Sequence, residues 1–333
     1  MTTAKVWKQT QAFDGVPKLN DFILEEETLP GLQENEILVE ALYLSLDPYF
    51  RLLASPDQSL PGEQVARVLQ SKSPEYPVGS LVCAHLGWRS HTVVNVTTPR
   101  VFGTTVDLIN EVPGLSPSLW LGTVGMPGVT AYLSFFEHCD PKPGEVLVVT
   151  AASGAVGSIV GQLAKHKGLT VIGLAGSNEK CDYIRDLGFD HAINYKTEDI
   201  SKALDLVAPS GVDIYFDNVG GEIADIAYGK LRDYGRVLIC GLISDYNKSP
   251  KELEKVTNWN KVILFKQLTI KGFMIFHSKN LAEFPRVRQE IVTLIQKGQL
   301  QTKEHVTDGF DKMPAAFIEL FTGSNFGKAV VKA

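Results

Sequence analysis

Val146-Leu-Val-Val-Thr150-Ala-Ala-Ser-Gly154-Ala-Val-Gly157-Ser-Ile-Val-Gly-Gln-Leu-Ala-Lys165-His-Lys167 is the stretch that decides the fold. It opens on an unbroken apolar run, the composition of a β-strand buried on both faces. The string after it has the form AxGxxG, with Ala152 in the first glycine position. Gly154 lets the backbone approach a pyrophosphate and Gly157 lets the helix pack on the strand. Across Gly154-Ala155-Val156-Gly157 the N–H groups of the helix start face the anion. Val156, Ile159, Val160, Leu163 and Ala164 follow the spacing of an amphipathic helix, and Gly168 ends it. Glycines that serve only a tight turn are the alternative. A strand before, an amphipathic helix after and a second strand about 20 residues on favour a dinucleotide site.

Outward from this stretch the texture of the chain differs on its two sides. Before residue 125 come short β-type runs, Glu36 to Ala41, Gln64 to Gln70 and Ser80 to Ala84. They are broken by Pro30-Gly31, Pro61-Gly62 and Pro77-Val78-Gly79, as in an all-β, partly barrel-like region. After it, strand-like runs at Val146 to Thr150, Thr170 to Leu174, His191 to Tyr195, Val212 to Val219 and Arg236 to Leu242 alternate with helical ones. Such alternation predicts a doubly wound parallel sheet. A later helix, about Leu281 to Lys297, carries Val287, Ile291, Leu294 and Ile295 and ends at Gly298. The tail returns to short strand patterns ending Lys328-Ala-Val-Val-Lys332. Residues 126–300 are therefore expected to form an α/β Rossmann domain, and residues 1–125 plus 301–333 the domain into which it is inserted.

With 333 residues the chain is long enough for two cores. The 44% hydrophobic and 21% charged shares are those of a soluble globular protein. A net charge of -6 leaves no excess of basic groups for nucleic acid or an anionic membrane. Cys83, Cys139, Cys181 and Cys240 are far apart and the N-terminus lacks an apolar signal core, so a cytoplasmic location is expected. No run approaches a membrane span of about 20 apolar residues.

The end of the second Rossmann strand selects the dinucleotide. An NAD site places Asp or Glu there for the ribose hydroxyls, whereas this chain reads Val171-Ile-Gly-Leu-Ala175-Gly-Ser-Asn-Glu-Lys180. Nothing in it repels a 2′-phosphate. Lys180 can pair with that phosphate as a point charge, with Ser177 and Tyr195 as neighbours. A solvated lysine at a helix start, beside Glu179, is the other reading.

Leu121-Gly-Thr-Val-Gly-Met-Pro-Gly-Val-Thr-Ala-Tyr132 leads into the Rossmann region, and Asp47-Pro-Tyr-Phe-Arg51, Tyr215-Phe-Asp-Asn-Val-Gly-Gly221, Cys240-Gly-Leu-Ile-Ser-Asp-Tyr246-Asn and Asn325-Phe-Gly-Lys flank it. With the AxGxxG turn, these segments resemble the medium-chain dehydrogenase/reductase superfamily. Within it they are similar to its zinc-independent prostaglandin reductase 1, or leukotriene B4 12-hydroxydehydrogenase, group. The resemblance spans essentially the whole chain and is looser between about Leu53 and Val112. It implies a GroES-like, partly open β-barrel domain around the Rossmann sheet. It also implies an NADPH-dependent reductase of the C=C bond in α,β-unsaturated ketones and aldehydes, such as 15-oxo-prostaglandins and alkenals, and a homodimer joined along the Leu268 to Phe276 edge. Carried over by motif, Gly154 to Gly157, Lys180, Tyr195, Asn218, Cys240, Gly241, Leu242, Ile243, Ser244, Tyr246, Phe273, Met274, Ile275 and Asn325 would line the NADP(H) site. Met126 and Thr130 would contact nicotinamide, although Pro127-Gly128 also suits a turn alone.

In such a reduction hydride goes to the β-carbon and an enolate forms, which needs a polar partner. Tyr246 is the expected partner, since a phenol hydrogen-bonds an oxyanion at neutral pH and its loop opens at the carboxyl edge of the sheet. A tyrosine that only packs is the alternative. Tyr49, in the Asp-Pro-Tyr segment, is the second candidate.

No metal is expected. Leu44-Ser-Leu-Asp47 stands where a first zinc ligand would be, and neither the cysteines nor the seven histidines show ligand spacing. A quinone reductase of the same superfamily and a non-catalytic cofactor-binding protein are the competing functions. The loops Ser55 to Gly62 and Asp245 to Asn260 carry no readable code for substrate length.

Overall fold

The computed structural model describes residues 2–253 and 257–333. Residues 254–256, within the Asp245 to Asn260 loop, lie outside the described residues. The chain divides into two compact units. Unit one comprises Met1–Met126, Phe276–Ala282 and Glu304–Ala333, and unit two Pro127–Ile275 and Glu283–Lys303.

In chain order the strands are β1 (Thr3–Gln9), β2 (Phe22–Thr28), β3 (Glu36–Ser45), β4 (Glu63–Ser71), β5 (Leu81–His85), β6 (His91–Asn95) and β7 (Asp107–Leu108). Unit two contributes β8 (Val146–Val149), β9 (Thr170–Ala175), β10 (His191–Asn194), β11 (Val212–Asp217), β12 (Leu231–Ile239) and β13 (Thr269–Gly272). The tail adds β14 (Glu304–Asp308) and β15 (Lys328–Lys332).

In unit one, β1 and β2 pair as a hairpin, and a larger sheet runs β14-β15-β3-β4-β5-β7 with β6 also on β3. The core partners of β3 change along its length, and Leu38, on the face opposite Ile37 and Val39, packs with Ala4, Val6 and Leu29. Ile37 and Val39 pack with Ala66, Val68, Val82 and Val94, while Ala41 and Leu44 join Phe22, Phe50, Trp88 and Phe317. The tail pattern predicts strands alone, yet a helix, Met313–Thr322, separates β14 from β15. Met313, Ala316, Phe317 and Leu320 form its buried stripe, Pro314 sits in its first turn and Gly323 at φ 71° caps its end.

Unit two is a six-stranded parallel sheet in the order β10-β9-β8-β11-β12-β13. That is the Rossmann order, and it reverses between β8 and β11. Leu147, Val148 and Val149 are fully buried, as an apolar run covered on both faces requires. Several boundaries differ from the pattern, among them the end of β11 at Asp217 rather than Val219. β12 begins at Leu231 rather than Arg236, because helix Gly221–Lys230 runs directly into it and Tyr234, at φ 62°, bends its start. Residues 240–242 leave the sheet as a loop. The helix expected over Leu281 to Lys297 is two, Ser278–Leu281 and Phe284–Gln296, since Pro285 favours a helix start over a helix interior. No helix of the described residues is long and apolar enough to cross a membrane.

Candidate functional site

The strand ends at the reversal between β8 and β11 supply two loops. In the first, Ala151 adopts φ 48°, the Ala152 N–H bonds Leu174 O at 3.1 Å, and the Gly154 N–H turns back onto Ala151 O at 2.9 Å. Ala152 is fully buried, so a methyl in the first glycine position faces the core and leaves the open side of the turn clear. A Cβ on Gly154 would sit 3.1 Å from Ala151 O, and one on Gly157 only 2.5 Å from it. The turn is therefore closed around backbone, which is what a phosphate cradle demands at the start of helix Gly157–His166. Two other glycines allow close packing, Gly161 on the helix against the turn before β10 and Gly173 on β9 against helix Asn178–Asp186. A Cβ on Gly161 would meet the Phe189 ring at 1.8 Å, and one on Gly173 would meet Ile184 at 2.5 Å.

The second loop follows β11. Asp217 is buried and its carboxylate accepts from the Val219 and Gly220 N–H groups at 2.9 and 2.8 Å and from the Tyr215 hydroxyl at 3.0 Å. Burial pushes its pKa up against these bonds. Asn218 donates through its backbone N–H to Thr150 Oγ1 and through Nδ2 to Thr150 O, both at 2.8 Å, tying this loop to the end of β8. The segment from Cys240 to Tyr246 lies along it, with the Cys240, Gly241 and Ser244 N–H groups bonded to Asp217 O, Asp217 O and Val219 O at 2.8, 3.1 and 3.0 Å. A Cβ on Gly220 would reach Leu242 at 2.9 Å, so the loops interlock. Tyr246 is half-buried, and burial raises its pKa against a hydrogen bond from the Leu242 backbone, so the phenol is protonated at neutral pH. Ile243 is also half-buried, Phe273 and Ile275 are buried, and Met274 is exposed.

At the end of β9, Ser177 caps helix Asn178–Asp186 by accepting from the Lys180 N–H at 3.3 Å. The Lys180 side chain is not a solvated one: the residue is 8% exposed. Burial, then the like charge of Lys196, lowers its pKa, an environment in which a neighbouring anion favours the ammonium. Glu179 is exposed, and hydrogen bonds from its own backbone and from Ser177 hold its pKa down. The Tyr195 hydroxyl lies over the strand end, 2.7 Å from where a Cβ on Gly176 would stand.

The other expected residues belong to unit one or to the boundary. Met126 and Thr130 are buried on helix Met126–Leu133, whose first residue is in unit one and whose remainder is in unit two. Asn325 donates to Gly327 O at 3.4 Å. Tyr49 packs edge-on against Phe50 and Phe276, and burial with the charges of Asp47 and Glu63 raises its pKa well above the usual tyrosine value. Two residues before it, Asp47 pairs with the buried Lys328 at 2.5 Å. Lys328 also donates to Leu46 O at 2.9 Å, and Ser45 donates to the second Asp47 oxygen. No spacing in the sequence singles out this pair, nor Thr150 and Asp217, although Asp47, Asp217 and Lys328 all lie in the segments that carry the family resemblance.

Among the described residues no group of three or more His, Cys, Asp and Glu is arranged to hold a metal ion. The four cysteines are unlinked, and burial pushes the Cys139 and Cys240 thiols up to about 12.

Residues 155–293 match the family described as zinc-binding dehydrogenase and residues 5–101 the N-terminal domain of oxidoreductase. Prostaglandin reductase 1 of Bos taurus is 44% identical over 100% of both chains. The NADP(+)-dependent 2-alkenal reductase of Nicotiana tabacum is 38% identical over 95% of this chain and 94% of its own. The crystal structure of CurA from Vibrio vulnificus in complex with NADPH superposes with a TM-score of 0.90 at 34% identity, covering 99% of each chain.

Proposed function

From the premise that the chain belongs to the medium-chain dehydrogenase/reductase superfamily, in its prostaglandin reductase 1 group, we propose that it reduces the C=C bond of α,β-unsaturated ketones and aldehydes with NADPH. 15-Oxo-prostaglandins and alkenals are the substrates this group suggests. The observation that carries the cofactor half is the β9 end, where no acid stands and Lys180 is buried beside Ser177.

The residues present fit such a cofactor. The turn Gly154, Ala155, Val156, Gly157 holds the pyrophosphate against the helix start, as a turn too tight for a Cβ at Gly157 suits. Lys180 and Tyr195 hold the 2′-phosphate. Asn218, the loop from Cys240 through Ser244 with Tyr246, Phe273 to Ile275, Met126, Thr130 and Asn325 line the remainder. When bound, NADPH supplies the hydride that the substrate β-carbon accepts. Tyr246, protonated because burial raises its pKa, donates a hydrogen bond to the oxygen that becomes an enolate. Tyr49 is the second phenol available for that task. The protein is read as cytoplasmic and as a homodimer joined along the β13 edge, which would cover an exposed strand.

Two outcomes follow for single variants. Lys180→Glu weakens NADPH by about 1–3 kcal/mol, the worth of a charge-assisted contact, and spares NADH. Titration of both cofactors against the variant checks this, and equal losses refute the assignment. Tyr246→Phe lowers kcat about 100-fold, the usual loss for one oxyanion donor, with NADPH affinity intact. Unchanged turnover in steady-state assays removes Tyr246 from the chemistry.

A further inference from the structure

Phe102 is a bulky residue in the left-handed backbone region, at φ 59°, and it remains 37% exposed. Neither backbone preference nor burial favours that placement. Its ring stacks on Phe276 at 4.1 Å between centroids and 11° between planes. The edges of His85 and Tyr49 close on Phe276 at 5.8 and 6.0 Å. All four residues are in unit one, although Phe276 directly follows the Ile275 assigned to the cofactor. His85 is 3% exposed, its Nδ1 lies 3.2 Å from Thr104 Oγ1 and 3.8 Å from Glu63, and its Nε2 is buried with no hydrogen-bond partner among the described residues. His85 packs edge-on against both rings, and the part of Phe102 that stays exposed is flat and apolar. Strain held at such a place points to a ligand.

We propose that the Phe102–Phe276 stack is the wall against which a flat, conjugated substituent of the substrate lies, and that Phe102 sets a preference for aryl enones over linear enals. The proposal rests on the reductase reading above. Stacking takes a planar ring better than a flexible alkyl chain, which loses rotamers on a rigid wall. Phe102→Asn isolates the effect, because asparagine tolerates positive φ and relieves the backbone while deleting the ring.

The experiment compares wild type and Phe102→Asn with NADPH and two acceptors, 4-phenylbut-3-en-2-one and non-2-enal, and records melting temperatures. The ratio of kcat/KM for the aryl over the linear acceptor falls about tenfold, through KM, while the melting temperature holds or rises. An unchanged ratio with both acceptors still reduced overturns the wall alone, as does a change confined to kcat. NADPH oxidation with neither acceptor in the wild type overturns the reductase reading and the wall with it.

Discussion

Lys328→Met is expected to destabilise the protein by about 3–5 kcal/mol, because it leaves the Asp47 carboxylate buried without its countercharge. Both groups are nearly inaccessible, with side chains 3% and 10% exposed, so water cannot replace the lost ammonium. In a chain this size that is a melting-temperature drop of roughly 10 °C. Lys328 fills space against Gly122, where a Cβ would lie 3.0 Å from its own side chain, and methionine retains much of that volume. Adding Asp47→Leu removes the stranded charge, and the double variant recovers most of the loss. Differential scanning calorimetry of the cycle checks this. A double variant no better than Lys328→Met would assign the loss to packing.

Gly157→Val is expected to have the largest effect on cofactor binding. Its Cβ would stand 2.5 Å from Ala151 O and 3.0 Å from Ala151 C and the Ala152 Cα, all backbone atoms that no rotamer change can move. The turn must open, and the helix start is displaced from the anion it would hold. A strain of about 2–3 kcal/mol expressed in binding raises the NADPH Kd roughly 100-fold. Fluorescence titration of the folded variant measures it, and an unchanged Kd would mean that the phosphates are held elsewhere.

The Rossmann half was legible because its signals are local. An apolar strand, the AxGxxG turn and an amphipathic helix occupy consecutive residues, and the absent acid after β9 lies a few residues from Lys180. Helix Met313–Thr322 carries its own marks in Pro314, Gly323 and the stripe Met313, Ala316, Phe317, Leu320, yet the strand patterns around it predict strands alone. Other features depend on residues remote in sequence. Lys328 meets Asp47 281 positions away, and Gly161 is needed because of Phe189. Phe276 lies in the Rossmann half of the sequence yet packs on Tyr49, His85 and Phe102 of unit one. No periodicity in 276–282 announces that membership, which depends on aromatic partners far upstream. Spacing alone does not separate a catalytic from a packing place for Tyr246 or Tyr49, because a phenol that packs and one that donates to an enolate look alike in sequence.

NADPH consumption by the purified protein, followed with an enone, with an ortho-quinone and without acceptor and with the enone product identified, separates a C=C reductase from a quinone reductase and from a cofactor-binding protein without turnover. Oxidation with the enone is expected, with one saturated ketone formed per NADPH and a background without acceptor that is small by comparison. Oxidation with the quinone alone, or with no acceptor at all, would contradict the C=C reductase reading.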